Sequence, residues 1–219
     1  MNKLLVCLAA LIVISLSSTA SADTLLYTPT PADLNDLDHH KVYTWRVSNV
    51  DLKGKQIVSA TLKIKNISNW DTNPNKLFIH LLDTAKGSGV RSFTDDPTNS
   101  TPVTDIRDDF IDPRYHGRSD WLVAAGTADT FLTARSFTMT PENFVFNFSP
   151  SQLQILTSYI LNGGNFALGF DPDCHFFNDG ISFEIITADA PVPEPATMAL
   201  LGTGLAGLYY RKRRKQQKA

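Results

Sequence analysis

The sequence predicts an all-β fold: an antiparallel two-sheet sandwich, jelly-roll-like, with one short helix, between an N-terminal signal helix and a C-terminal membrane helix. Three observations predict it. Short runs rich in Val, Ile, Phe, Tyr and Thr recur along the chain, several with apolar and polar residues alternating, the period of a half-buried strand. Polar loops dense in Asn, Asp, Pro and Gly separate these runs. Helical patterning is confined to one stretch late in the chain and to the two hydrophobic ends. Short strands spaced by turn signals point to a sandwich.

Residues 1–22 read as an export signal. Lys3 gives a positive start, residues 4–16 are nearly all apolar, and Ala20 and Ala22 frame a small-x-small cleavage site before Asp23. Residues 23–188 then make one passenger domain. A chain of this size can bury roughly 68–70% of its unfolded surface, enough for a stable core.

The first strand falls at residues 42–47, Val-Tyr-Thr-Trp-Arg-Val. Residues 57–67 form the next, with Val58, Ala60, Leu62 and Ile64 on one face and Thr61, Lys63 and Lys65 on the other. Residues 68–75 are a polar loop around Trp70, and residues 76–82 a strongly apolar strand. A second polar loop spans residues 95–102, and strands follow at 131–139 and 144–148. Ser149 is an N-cap, Pro150 takes the first helical position, and Gln152 completes a capping box. Leu153, Leu156 and Ile160 line one face of this helix, and Asn162-Gly163-Gly164 stops it. Strands at 165–170 and 181–186 complete the set. Trp45 and Trp121 lie in strand-like runs and are expected in the core.

Between residues 23 and 194 stand 13 basic and 22 acidic residues, a net charge of −9. A nucleic-acid partner needs a basic footprint, so this class is excluded. Of the acidic residues 19 are Asp, which suits turns and hard-cation ligation. Cys7 belongs to the signal, which leaves Cys174 alone, with no intramolecular disulfide in the exported domain. Its neighbours Phe170, Phe176 and Phe177 place it as a buried small apolar residue.

The C-terminus has three parts. Residues 189–195 are a stiff Pro-rich linker ending in Pro193, Glu194 and Pro195. Residues 196–210 are apolar, a run of 15 that spans roughly 22 Å as a helix, short against a bilayer core of ~30 Å. Gly202, Gly204 and Gly207 give it a small-residue face. Arg211, Lys212, Arg213 and Arg214 then open a basic tail that stays cytoplasmic, so that residues 196–219 form a membrane helix with its basic stop. Motif, span and basic stop, in this order, resemble the PEP-CTERM sorting signal; an ordinary tail anchor is the alternative. The resemblance implies processing by an exosortase, a membrane-embedded cysteine protease of Gram-negative bacteria. It implies an inner-membrane-anchored precursor and delivery to the cell envelope or extracellular polymer matrix. The segment at 165–186 also resembles the end of sandwich domains often carried by PEP-CTERM proteins, which implies no particular activity.

No catalytic residue is assigned. The chain has no Gly-x-Ser-x-Gly, no His-Glu-x-x-His, no phosphate loop and no dinucleotide fingerprint. Cys174 and His175 are adjacent, so on a strand they point to opposite faces and cannot pair. Two weaker sites remain. Asp171, Asp173 and Asp179, with Asn178 and Gly180, can supply oxygen ligands to Ca²⁺, or simply build turns. Asp33, Asn35, Asp36 and Asp38 form a second acidic group, and His39-His40 can take a transition metal or stay solvated. Trp70, with Asp71 and Asn73, can stack on and hydrogen-bond a sugar, or fold back over the core edge. Three function classes follow: a non-catalytic interaction protein of the envelope or matrix, a carbohydrate-binding module for extracellular polysaccharide, and an exported hydrolase. The first is the expectation and the second its alternative.

Overall fold

The computed structural model describes residues 22–39, 41–94, 108–110, 127–190, 202–207, 213, 214 and 216. The chain divides into two compact units, Met1–Ala188 and Asp189–Ala219. In the second, residues 202–207 are helical. Among the described residues no helix is long and apolar enough to cross a membrane. The expected signal helix, Ala20, Pro193, Glu194, Pro195, Arg211 and Lys212 lie outside the described residues, as does most of the expected membrane helix.

The first unit is built from ten described strands: β1 (Ala22–Tyr27), β2 (Lys41–Ser48), β3 (Gln56–Asn69), β4 (Lys76–Leu82), β5 (Gly89–Thr94), β6 (Asp129–Ser136), β7 (Glu142–Asn147), β8 (Asn165–Pro172), β9 (Phe176–Phe177) and β10 (Ile181–Ala188). They form two sheets. One has the order β1-β10-β3-β7, with β9 paired to the end of β3; the other runs β5-β2-β8-β4-β6. Every described pairing is antiparallel.

The two sheets share one core. Leu62, Ile64, Phe183 and Ile185 from the first meet Tyr43, Trp45, Leu77, Ile79, Phe166 and Leu168 from the second. Phe166 and Phe183 touch across the gap at 5.3 Å between ring centroids. Each such side chain contributes about 1.5–3 kcal/mol by leaving water. In β10 burial alternates strictly, one face in and one face out. The lone described helix of this unit, α1 (Pro150–Gly163), starts on Ser149, whose hydroxyl accepts from the Gln152 N–H while its own N–H donates to the Gln152 side chain at 2.8 Å. Gly164 ends it in the left-handed conformation.

Three strand readings need correction. Val58 is 52% exposed, although it shares parity with Ala60 and Leu62. A β-bulge opposite Ile186 and Thr187 leaves Val58 as the extra residue and turns Ile57 toward the core instead. The strand expected at 131–139 ends at Ser136, and Phe137 enters the core just beyond it. Strands β1 and β5 were not expected: β1 adjoins the cleavage signal, and β5 is a short, half-exposed edge strand.

The second sheet is covered on its other face as well. Val42, Leu82, Ala85, Phe110 and Ala167 form a separate apolar cluster there. This explains why β4 is buried along nearly its whole length. Gly169 makes room for the cover, since a Cβ at that position would lie 2.4 Å from Phe110 Cζ.

Candidate functional site

Two polar constellations stand out in the first unit. The first lies within the outer cluster. His80 is fully buried, with Nδ1 2.6 Å from Asp129 Oδ1 and Nε2 2.9 Å from Asp108 Oδ2. Phe110 stacks on the imidazole at 4.6 Å, and Phe131 meets its edge. Burial alone would lower the His80 pKa. Hydrogen bonds and charge from Asp108 and Asp129 outweigh it and raise the pKa to about 9. An imidazolium with both nitrogens engaged by carboxylates has no lone pair to act as a base. The imidazolium ties residues 108–110 to the sheet, where the Asp109 N–H also donates to Asp171 Oδ2 at 2.7 Å.

The second constellation is at one end of the unit, where three loops that are far apart in sequence converge. Residues 28–39 follow β1, residues 70–75 follow β3, and residues 173–180 connect β8 to β10. Their backbones bind one another directly. Ile181 N–H donates to Ala32 O at 2.8 Å, Trp70 N–H to His175 O at 3.1 Å, and Asp173 N–H to Lys76 O at 2.9 Å. The Asn178 amide adds a bond to Asp33 O at 2.9 Å.

The first of these loops holds four consecutive non-glycine residues in the left-handed region: Leu34, Asn35, Asp36 and Leu37, with φ between 37° and 59°. Such a conformation costs roughly 1–2 kcal/mol per residue for most side chains, less for Asn and Asp. Burial offsets it here, because Leu34 and Leu37 are both completely covered by the core.

Trp70 is 55% exposed. Its indole hydrogen-bonds toward the Cys174 sulfur, while burial pushes that thiol's pKa up. Cys174 is buried, as its neighbours predict. Phe177, opposite Ser68 on the short β3–β9 ladder, is 47% exposed. Asp71 and Asn73 serve the loop itself. Asp71 Oδ1 accepts from Asn73 N–H at 2.9 Å and the Asn75 amide at 2.8 Å, and Oδ2 from the Asn73 amide at 2.5 Å. Asn69 and Asn75 extend this network, which fixes the turn that presents Trp70.

The structure does not bring Asp171, Asp173 and Asp179 together. Asp171 is buried on the outer face of the second sheet, Asp173 accepts from Lys76 N–H, and Asp179 accepts from the Asn66 amide. Among the described residues, the three ligand-type side chains that do converge are Asp38, His39 and His175, each offering an atom within 4.8 Å of the others. His40 and Trp121 lie outside the described residues, and Trp45 is buried as expected. Neither the His80 cluster nor the Asp38–His175 contact was read from the sequence. The one available signal for the first was a lone His in the apolar run of β4.

Residues 191–215 match the family model of the PEP-CTERM protein-sorting motif. The chain therefore carries the sorting signal of an exported protein that a membrane enzyme, an exosortase, processes. No curated protein and no solved structure matches the chain.

Proposed function

We propose that this exported protein is a non-catalytic interaction protein of the cell envelope or extracellular polymer matrix. On this reading a jelly-roll passenger at residues 23–188 is carried by the linker at 189–195 and delivered through the segment at 196–219. The strand order supports the jelly roll. Pairs β1·β10, β2·β8, β3·β7 and β4·β6 nest inside one another like a single long hairpin, and contacts β10·β3 and β8·β4 roll that hairpin into two layers.

The observation that carries the interaction role is the exposed aromatic rim, Trp70 and Phe177, on the three-loop end. That end lies at the start of β10, and the chain leaves toward the sorting motif at the other end, Ala188. The two are about 23 Å apart at ~3.3 Å per residue, so the tether leaves from the opposite end of the unit. The non-catalytic reading is supported by the saturated His80 and the buried, raised Cys174 thiol. The net charge of the passenger argues against a nucleic-acid partner.

A second reading, that the partner is extracellular polysaccharide, is favoured by the same exposed indole, since a flat aromatic face stacks on a sugar ring. Affinity electrophoresis through the host's own polymer tests it. The passenger is expected to be retarded and Trp70→Ala to lose at least tenfold in affinity with an unchanged Tm. Equal mobility of both proteins with and without polymer would remove the polysaccharide reading and leave a protein partner.

A further inference from the structure

We propose that Asp38, His39 and His175 form a site for a divalent transition-metal ion of the zinc type. The distances carry the inference. Asp38 Oδ1 lies 3.3 Å from His39 Nδ1 and 3.3 Å from His175 Nδ1. Elsewhere in this protein histidine–carboxylate contacts close to 2.6 and 2.9 Å, the range expected of charge-assisted hydrogen bonds. The Asp38 contacts are too long for that. They match instead the ligand–ligand edge of a tetrahedral ion, about 3.3–3.6 Å for bonds of ~2.0–2.2 Å.

The carboxylate is divided to suit. Oδ2 binds the Lys41 ammonium at 2.9 Å, which leaves Oδ1 facing the two imidazoles. The Asp38 N–H donates to the buried Tyr43 hydroxyl at 2.8 Å, which fixes the backbone from which the carboxylate hangs. His175 presents Nδ1 to the carboxylate through the 3.3 Å contact. Two imidazoles and one carboxylate select zinc-type cations over Ca²⁺, which prefers six to eight oxygens. The half-exposed His39 already offers its ligand atom within 4.8 Å of the other two, and water can fill the fourth position. The ion would tie the loop after β1 to the loop before β10.

Titration of the full chain, purified in detergent, with Co²⁺ is expected to give visible d–d absorption that saturates at one ion per chain and is displaced by Zn²⁺. Zn²⁺ at about a hundred times Kd is expected to raise Tm by about 5–10 °C. Asp38→Asn and His175→Gln are each expected to abolish both signals, and His40→Ala to retain them. His39→Ala, at an exposed position, keeps the test open if the half-buried Asp38 and His175 variants fail to fold; it is expected to weaken Co²⁺ at least tenfold with the ion-free Tm unchanged. Absence of absorption and of any Tm shift in the native chain overturns the proposal. So does full Co²⁺ affinity in a folded His175→Gln, or in His39→Ala.

Discussion

His80→Ala is expected to lower Tm by about 6–20 °C. The substitution leaves Asp108 and Asp129 facing each other's charge around a cavity, with Asp108 buried. Removing one partner of a buried ionic group typically costs about 3–5 kcal/mol, and each kcal/mol is worth ~2–4 °C in a domain of this size. The loss also removes the ring on which Phe110 stacks. A pH dependence follows from the same geometry. The His80 pKa is raised in the folded protein to about 9, above its ordinary 6.5. The stability it contributes is therefore complete below pH 6.5 and fades as pH rises toward 9. This amounts to about 3 kcal/mol over that window. Melts of the native protein from pH 6 to 9.5 should show Tm falling through this range, and His80→Ala should lack that part of the slope. A flat native profile would contradict the buried imidazolium.

Leu37→Ala is expected to cost about 2–5 kcal/mol, or about 4–20 °C in Tm. Leu37 is wholly buried and helps hold a turn whose backbone is unfavourable on its own. Asn35, in the same turn, is exposed and equally left-handed. Asn35→Gly should stay within about 1 kcal/mol of the native protein, because glycine adopts this conformation without steric cost. Thermal melts of the pair separate the two contributions. Equal losses in both variants would show that the Asn35 side chain, and not leucine burial, holds the turn.

The sequence was most legible where one local rule governs. The α1 capping box, the Asn-Gly-Gly stop and the strand beginning at Ile181 all appear in the structure as read. Strand β4 was legible as a strand, but its apolar run also carried information that alternation could not deliver. It is covered on both faces, by the main core and by the Phe110 cluster. Long-range pairing was illegible. His80 meets carboxylates 28 and 49 residues away, and His175 meets Asp38 across 137 residues. No local pattern encodes such separations; they follow from the order in which the strands pair. The acidic group at residues 171–179 misled for the complementary reason. Asp171, Asp173 and Asp179 are close in sequence, yet the turn after β8 sends them to different partners. Trp70 was recognisable as a candidate, but its exposure depends on the Asp71–Asn73–Asn75 network beneath it.

The most direct test of the account is the fate of the protein in a host that has an exosortase. Intact-mass analysis and cell fractionation should be run on the native chain and on a variant carrying Pro193→Ala, Glu194→Ala and Pro195→Ala together. The native chain is expected to lose its C-terminal segment and leave the inner membrane for the envelope or extracellular matrix, while the variant accumulates uncut in the membrane. The same mass and the same distribution for both proteins would contradict the account.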